Sequence, residues 1–244
     1  MNKHLLFIAS LGLLLGLNAC KSTKPLVQNQ GSVVATPVAE VVKYEHKTQM
    51  QIKQLKAIDL EEDWTFADEL VLNYTLTAVD SNQQIVQVVN GSWGVESVKQ
   101  GQIILADKFK PIELTLPENG KVLASVVLTE IEDYQKAQAM VKKINDLGGI
   151  AKIPAVLVSI AEYQTPIAIV FGSLQAAGLG LKAAEHFDKD DLLGQNTFQI
   201  TFDEVKAGKT LFAVPLVFKG EHLKNTFHYE LNYDLKVKIL PLKN

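Results

Sequence analysis

Two acidic stretches hold the residues with the most chemistry to offer. The first reads DLEEDWTFADELVLNY over 59–74, where Asp59, Asp63 and Asp68 fall within ten positions and Trp64 and Phe66 stand between the last two. The second is Asp188-Lys189-Asp190-Asp191, far downstream and ahead of another strand-like run. Loop carboxylates at such spacing gather oxygen ligands. Crowded together they raise one another's pKa unless a cation lies among them. The same residues also suit plain turns and helix caps, because Asp bonds its own local backbone, so solvated loop carboxylates are the alternative. Trp64 and Phe66 divide in the same way. They are either an apolar loop tip that enters a lipid interface or side chains that fold back into the core. A joint site requires a fold that brings the two loops together.

Other candidates for chemistry are sparse. The histidines are His4, His46, His186, His222 and His228, and His186 lies near Asp188 and Asp190 in the chain. One imidazole beside Asp188 and Asp190 is a poor start for a transition-metal site, and a helix-end position suits it better. Ser92 in Asn90-Gly91-Ser92-Trp93-Gly94 lacks the nucleophile-elbow spacing, since residue 90 is not Gly. Gly178-Leu179-Gly180 follows no strand and opens no helix, so it is no dinucleotide loop. All 24 cationic side chains are Lys, which removes the bidentate Arg clamps used on phosphates. The net charge of −3 gives no broad basic field for nucleic acid. The single cysteine, Cys20, excludes an internal disulfide and a Cys-based zinc site. With no convergent nucleophile and base, a non-catalytic protein is expected.

The N-terminus carries an address. Lys3 supplies positive charge, 5–17 is a short apolar core, and Ala19 precedes the cysteine. Leu17-Asn18-Ala19-Cys20 resembles a bacterial lipobox. That resemblance implies cleavage before Cys20 and acylation of the palmitate kind on its sulfur and new amino group. Several acyl chains anchor far more firmly than one. The expected organisation is a signal peptide at 1–19, lipidated Cys20 and a tether over 20–49, and a domain over 50–244. Lys21-Ser22-Thr23-Lys24 follows the cysteine, where surface-export signals of some lipoproteins resemble an acidic run. The expected location is therefore the outer membrane of the cell envelope, facing the periplasm, with surface exposure as the alternative.

From Met50 onward the hydrophobic pattern has period two. Ile52, Leu55 and Ile58 open a first strand, 70–78 (LVLNYTLTA) alternates as a half-buried strand should, and Asp80-Ser81-Asn82 is turn chemistry before a return strand at 85–89. Gly91, Gly94 and Gly101 mark an irregular crossover around Trp93. The runs 112–116 and 122–131 read as a hairpin closed by Pro117-Glu118-Asn119-Gly120. Residues 134–147 switch to helical spacing, with Ala137, Met140, Val141 and Ile144 on one face. Further helical segments are expected at 154–161 and at 166–186, the latter started by Pro166. Strands resume at 197–202, 211–218 and 227–239. The fold class is mainly β, an antiparallel β-sandwich with an inserted helical subdomain at about 134–186. Residues 163–181 contain no charge, which suits either a helix packed on the sandwich or an element that enters a membrane or meets a partner.

With these elements in place, residues 55–77 resemble the opening of a C-two domain, the calcium- and phospholipid-binding β-sandwich of protein kinase C and synaptotagmin. Leu60, Asp63, Asp68 and the strand 70–76 carry the likeness, and Asp188-Lys189-Asp190-Asp191-Leu192-Leu193-Gly194 is similar to the third loop of that family. Glu69 stands where the family commonly has Pro, and Asp190 and Asp191 are adjacent. The resemblance implies calcium as cofactor, with Asp59, Asp63, Asp68, Asp188, Asp190 and Asp191 as ligands. It adds Glu132 and Asp133, which lie where the preceding strand would leave, and it implies membrane or partner contact at Trp64 and Phe66. The expected function is a lipid-anchored, non-catalytic binding module for calcium, a membrane surface or a protein partner. A structural or docking component acting through the helical insertion is one alternative, and an envelope hydrolase is another.

Overall fold

Period-two patterning builds two antiparallel sheets in the computed structural model, which describes residues 42–61, 67–131, 134–147, 165–176, 192–222 and 225–242. Cys20, the signal and tether region up to residue 41, and the segment 154–161 lie outside these residues. The described residues all fall in one unit, Val41–Asn244.

The strands are β1 (Tyr44–Asp59), β2 (Ala67–Val79), β3 (Ile85–Lys99), β4 (Ile103–Leu105), β5 (Ile112–Thr115), β6 (Lys121–Glu130), β7 (Leu192–Thr201), β8 (Leu211–His222) and β9 (Asn225–Pro241). Helix α1 is Tyr134–Leu147, α2 is Pro166–Ala176 and the short α3 is Phe202–Lys206. One sheet runs β4-β1-β9-β8, with β5 also paired to β1, and the other runs β3-β2-β6-β7. β1 begins at Tyr44, within the stretch read as tether, and pairs along its whole length with β9.

Alternate residues from both sheets meet in one apolar core. β9 contributes Tyr229, Leu231, Tyr233, Leu235 and Val237, β2 contributes Leu70, Leu72, Tyr74, Leu76 and Ala78, and β6 contributes Val122, Ala124, Val126 and Leu128. Each such aliphatic or aromatic side chain stabilises the fold by about 1.5–3 kcal/mol when fully buried. In β1 the inward series is Met50, Ile52, Leu55 and Ala57, which changes parity because the register shifts between Ile52 and Gln54. A bulge of this kind explains the three-residue step from Ile52 to Leu55 that interrupts strict alternation.

Three sequence expectations are corrected. The run 112–116 does not form a hairpin with 122–131, since β5 pairs with β1 while β6 pairs with β2 and β7 in the other sheet. The Pro117–Gly120 reversal is real, with Gly120 N–H bonded to the Pro117 carbonyl at 3.1 Å and Asn119 at φ 55°. Turn chemistry specifies a reversal but not which strand the chain pairs with next. Second, β3 continues through the glycines as a single strand to Lys99, with a register shift opposite Leu70 and Val71. Gly91 serves packing rather than a crossover: a Cβ there would lie 2.3 Å from the Tyr74 ring. Third, β2 is not half-buried. Its outward residues Asn73, Thr75 and Thr77 are buried with the rest.

The helices supply that cover. Between β6 and β7 in the chain, α1 places Ala137, Met140, Val141 and Ile144 against Val71, Val95, Val127 and Ile131 on the outer face of the β3-β2-β6-β7 sheet. This is the face that helical spacing predicts. α2 starts at Pro166 as expected, with Thr165 Oγ1 accepting from the Ala168 N–H at 3.2 Å. It seats Val170 beside α1's cluster and Ile169 against Val79, Ile85, Val88 and Leu123. The expected continuation of that helix from 177 to 186 lies outside the described residues. No helix among the described residues is long and apolar enough to cross a membrane.

The close approach of Gly91 to Tyr74 yields a test. Gly91→Ala forces a methyl into the ring and is expected to cost about 1–3 kcal/mol in urea unfolding, the usual penalty for overpacking. Combining it with Tyr74→Leu, which removes the ring, should make the second substitution less than additive.

Candidate functional site

The strand ends that carry both acidic stretches lie at one end of the sheets. β1 ends at Asp59 and β2 starts at Ala67, β6 ends at Glu130 and β7 starts at Leu192. Leu70 is paired with Glu130 across β2 and β6, and Thr129 with Leu192 across β6 and β7. The turn from β8 to β9 belongs to the same end, because Asp59 is paired with His228.

Asp68 is the most deeply buried acid among the described residues of this end. It shares its parity with Leu70 and Leu72, so β2 aims it inward, and it is 0% exposed. Its Oδ2 accepts the backbone N–H of Glu61 at 2.8 Å and the hydroxyl of Tyr229. Glu61 lies in the loop after β1, Asp68 in one sheet and Tyr229 in the other. A single carboxylate therefore joins both sheets and the start of the acidic loop. Charge-assisted bonds of this kind are about twice as strong as neutral ones. A buried carboxylate without donors would be unsustainable.

Tyr229 answers to the same arrangement. Burial pushes its hydroxyl pKa well above the ordinary tyrosine value, and the bond to Asp68 and the charges of Asp68, Glu130 and Glu61 push it further. The phenol is therefore locked as a donor. Burial also raises Tyr74, whose hydroxyl donates to the Lys110 carbonyl at 2.7 Å, and Tyr233.

Asp59 has a different environment. Its Oδ2 accepts from Thr226 Oγ1 at 2.9 Å and its Oδ1 from Gln100 Nε2 at 3.4 Å, both in exposed positions. It ties the end of β1 to the start of β9 and to the turn after β3. Asp59 and Asp68 thus hold separate sets of partners, one at the surface and one in the core. Among the described residues, no group of three or more His, Cys, Asp or Glu side chains is arranged to hold a metal ion. The other sequence candidates, Asp63, Trp64, Phe66, Glu132, Asp133, Asp188, Asp190 and Asp191, together with His186, lie outside the described residues.

Ser92 is committed to structure. Its Oγ donates to Asn73 Oδ1 at 2.7 Å, and its backbone exchanges two bonds with the Asn145 amide of α1, at 3.2 and 2.9 Å. His46, placed by sequence in the tether, sits in β1 with its ring edge-on to Phe202. Sequence reasoning missed two residues of the acidic end. Tyr229 enters the sequence reading only as part of the strand run 227–239, although a buried phenol must find a partner for its hydroxyl. Glu61 contributes through its backbone N–H, which no side-chain motif reveals.

Tyr229→Phe tests this geometry. It removes one donor from a buried carboxylate and is expected to cost about 2–3 kcal/mol in urea unfolding at neutral pH. The pH dependence has a defined sign. Because folding raises the Tyr229 pKa, the stability gained by keeping it protonated is complete below about pH 10, the unfolded value, and is lost as pH rises beyond it. The variant should therefore lose stability less steeply than the parent at alkaline pH.

No protein-family model matches the chain, and no curated protein matches its sequence.

Proposed function

We propose that this chain is a non-catalytic binding module of the cell envelope, anchored by acylated Cys20 and carrying a C-two-like sandwich with a helical insertion between β6 and β7. The observation that carries the reading is topological. β2 and β7, the strands that follow the two acidic stretches, both flank β6 and start at the same end. Strands two positions apart are separated by roughly 10 Å, a distance that loop carboxylates can close around one cation.

The described carboxylates themselves fit a calcium shell poorly. A ligand oxygen faces the cation, whereas Asp68 Oδ2 faces two hydrogen-bond donors and both oxygens of Asp59 accept from side chains. The proposal therefore assigns calcium to Asp63, Asp188, Asp190 and Asp191, with Glu132 and Asp133 beside them. Asp68 fixes the base of the first loop from within. Such a site would neutralise the crowded carboxylates and set the position of Trp64 and Phe66 against a membrane surface.

Thermal unfolding tests the calcium assignment. A site filled at about 100 times its Kd stabilises by about 2.7 kcal/mol, which raises the midpoint by several degrees in a chain of this size. Chelator should reverse the rise, and Asp63→Asn or Asp188→Asn should abolish it while Asp59→Asn should not. A midpoint unchanged at millimolar calcium contradicts the assignment.

A further inference from the structure

The outer face of the β3-β2-β6-β7 sheet carries polar rows between two apolar patches, Val71, Val95, Val127 and Ile131 on one side and Val79, Ile85, Val88 and Leu123 on the other. Strands buried on both faces ordinarily read as near-continuous apolar runs, whereas alternation marks a face that meets water. β2 alternates, yet its outward Asn73, Thr75 and Thr77 are buried. The register extends the pattern across the sheet. Asn90, Thr75, Ser125 and Thr197 form one transverse row, and Ser92, Asn73, Val127 and Gln195 form the next.

Much of this polar face satisfies itself within the sheet. Thr75 Oγ1 donates to the Val89 carbonyl at 3.1 Å, Ser125 and Thr197 share a bond of 2.7 Å, and Ser92 Oγ donates to Asn73. Asn73 Nδ2 has no partner although the residue is only 2% exposed. Water on this face would satisfy it. The covered state thus leaves a polar group unmet in these rows.

Both helices pack on this face, with different side-chain chemistry. α1 is amphipathic, packs four apolar side chains and adds the reciprocal bonds between Asn145 and Ser92. α2, PIAIVFGSLQA, has no charged residue and belongs to the uncharged run 163–181. Among its described side chains, Ile167, Ile169 and Val170 are seated on the sheet, and the Ile167 N–H donates to Gln195 Oε1 at 2.9 Å. Hydrocarbon would bury the same aliphatic side chains. The eleven described residues of α2 span about 16 Å, roughly half the hydrocarbon thickness of a bilayer.

We propose that α2 is a displaceable cover whose alternative partner is the lipid bilayer: it leaves the sheet, lies in one leaflet, and uncovers the polar rows on β2 and β6, while α1 stays seated. The inference rests on the lipid-anchor reading, because the acylated Cys20 keeps a bilayer within reach.

The test uses the full acylated chain on vesicles of phosphatidylethanolamine and phosphatidylglycerol, with the unacylated Cys20→Ser chain in buffer as the bilayer-free reference. Thr75→Cys and Ser125→Cys report the covered face, and Leu72→Cys reports the core. With Cys20 acylated or replaced, the introduced thiol is the sole reactive one. A membrane-impermeant maleimide should label residues 75 and 125 about tenfold faster or more on vesicles than in buffer, as local opening requires, while residue 72 stays protected in both. A bimane on Ile169→Cys should be quenched by brominated acyl chains. The proposal is overturned if the chain floats with the vesicles but residues 75 and 125 stay as slow as in buffer, or if residue 72 opens with them, or if the bimane is not quenched. A chain that fails to float overturns the anchor reading, and this inference with it.

Discussion

Burial of the Asp68 carboxylate is the constraint to which the acidic end of this protein answers. A charge at 0% exposure must be met by donors, and they come from two directions: the Glu61 backbone and the Tyr229 hydroxyl. Meeting that need draws the loop after β1 onto the start of β2 and pins one sheet to the other. The surrounding acids, Glu61 and Glu130, add negative potential that keeps Tyr229 protonated and donating. The link is therefore self-consistent: the charge that needs the donor also prevents the donor from ionising.

This arrangement changes the meaning of the acidic motif. Read as spacing alone, Asp59, Asp63 and Asp68 are equivalent carboxylates along one loop. In three dimensions Asp59 braces strand ends at the surface and Asp68 braces them from within. Two of the three act on the framework from which the loop leaves. The loop is thereby held at both ends.

Much of the fold was legible because period-two patterning is a local signal with a physical cause. Tyr229, Leu231, Tyr233, Leu235 and Val237 alternate in sequence and line the core in space, and Ala137, Met140, Val141 and Ile144 fall on the buried face of α1 as their spacing requires. Pairing was less legible. β5 and β6 are adjacent in the chain and separated by a good turn, yet they enter different sheets, because partner choice depends on distant strands. The depth of β2 was misread for a related reason. Its alternation states which side chains suit water, while the helices decide whether water reaches them. Of the candidate site, the carboxylates were visible as residue types, but Tyr229 and the Glu61 N–H were not, since both act through contacts made across the fold.

The most direct test of the central link is a double-mutant cycle on Asp68→Asn and Tyr229→Phe, read by urea unfolding at neutral pH. A buried charge-assisted bond between sheets predicts a coupling energy of about 1.5 kcal/mol or more. Additivity within about 0.5 kcal/mol, the behaviour of independent sites, would contradict the account.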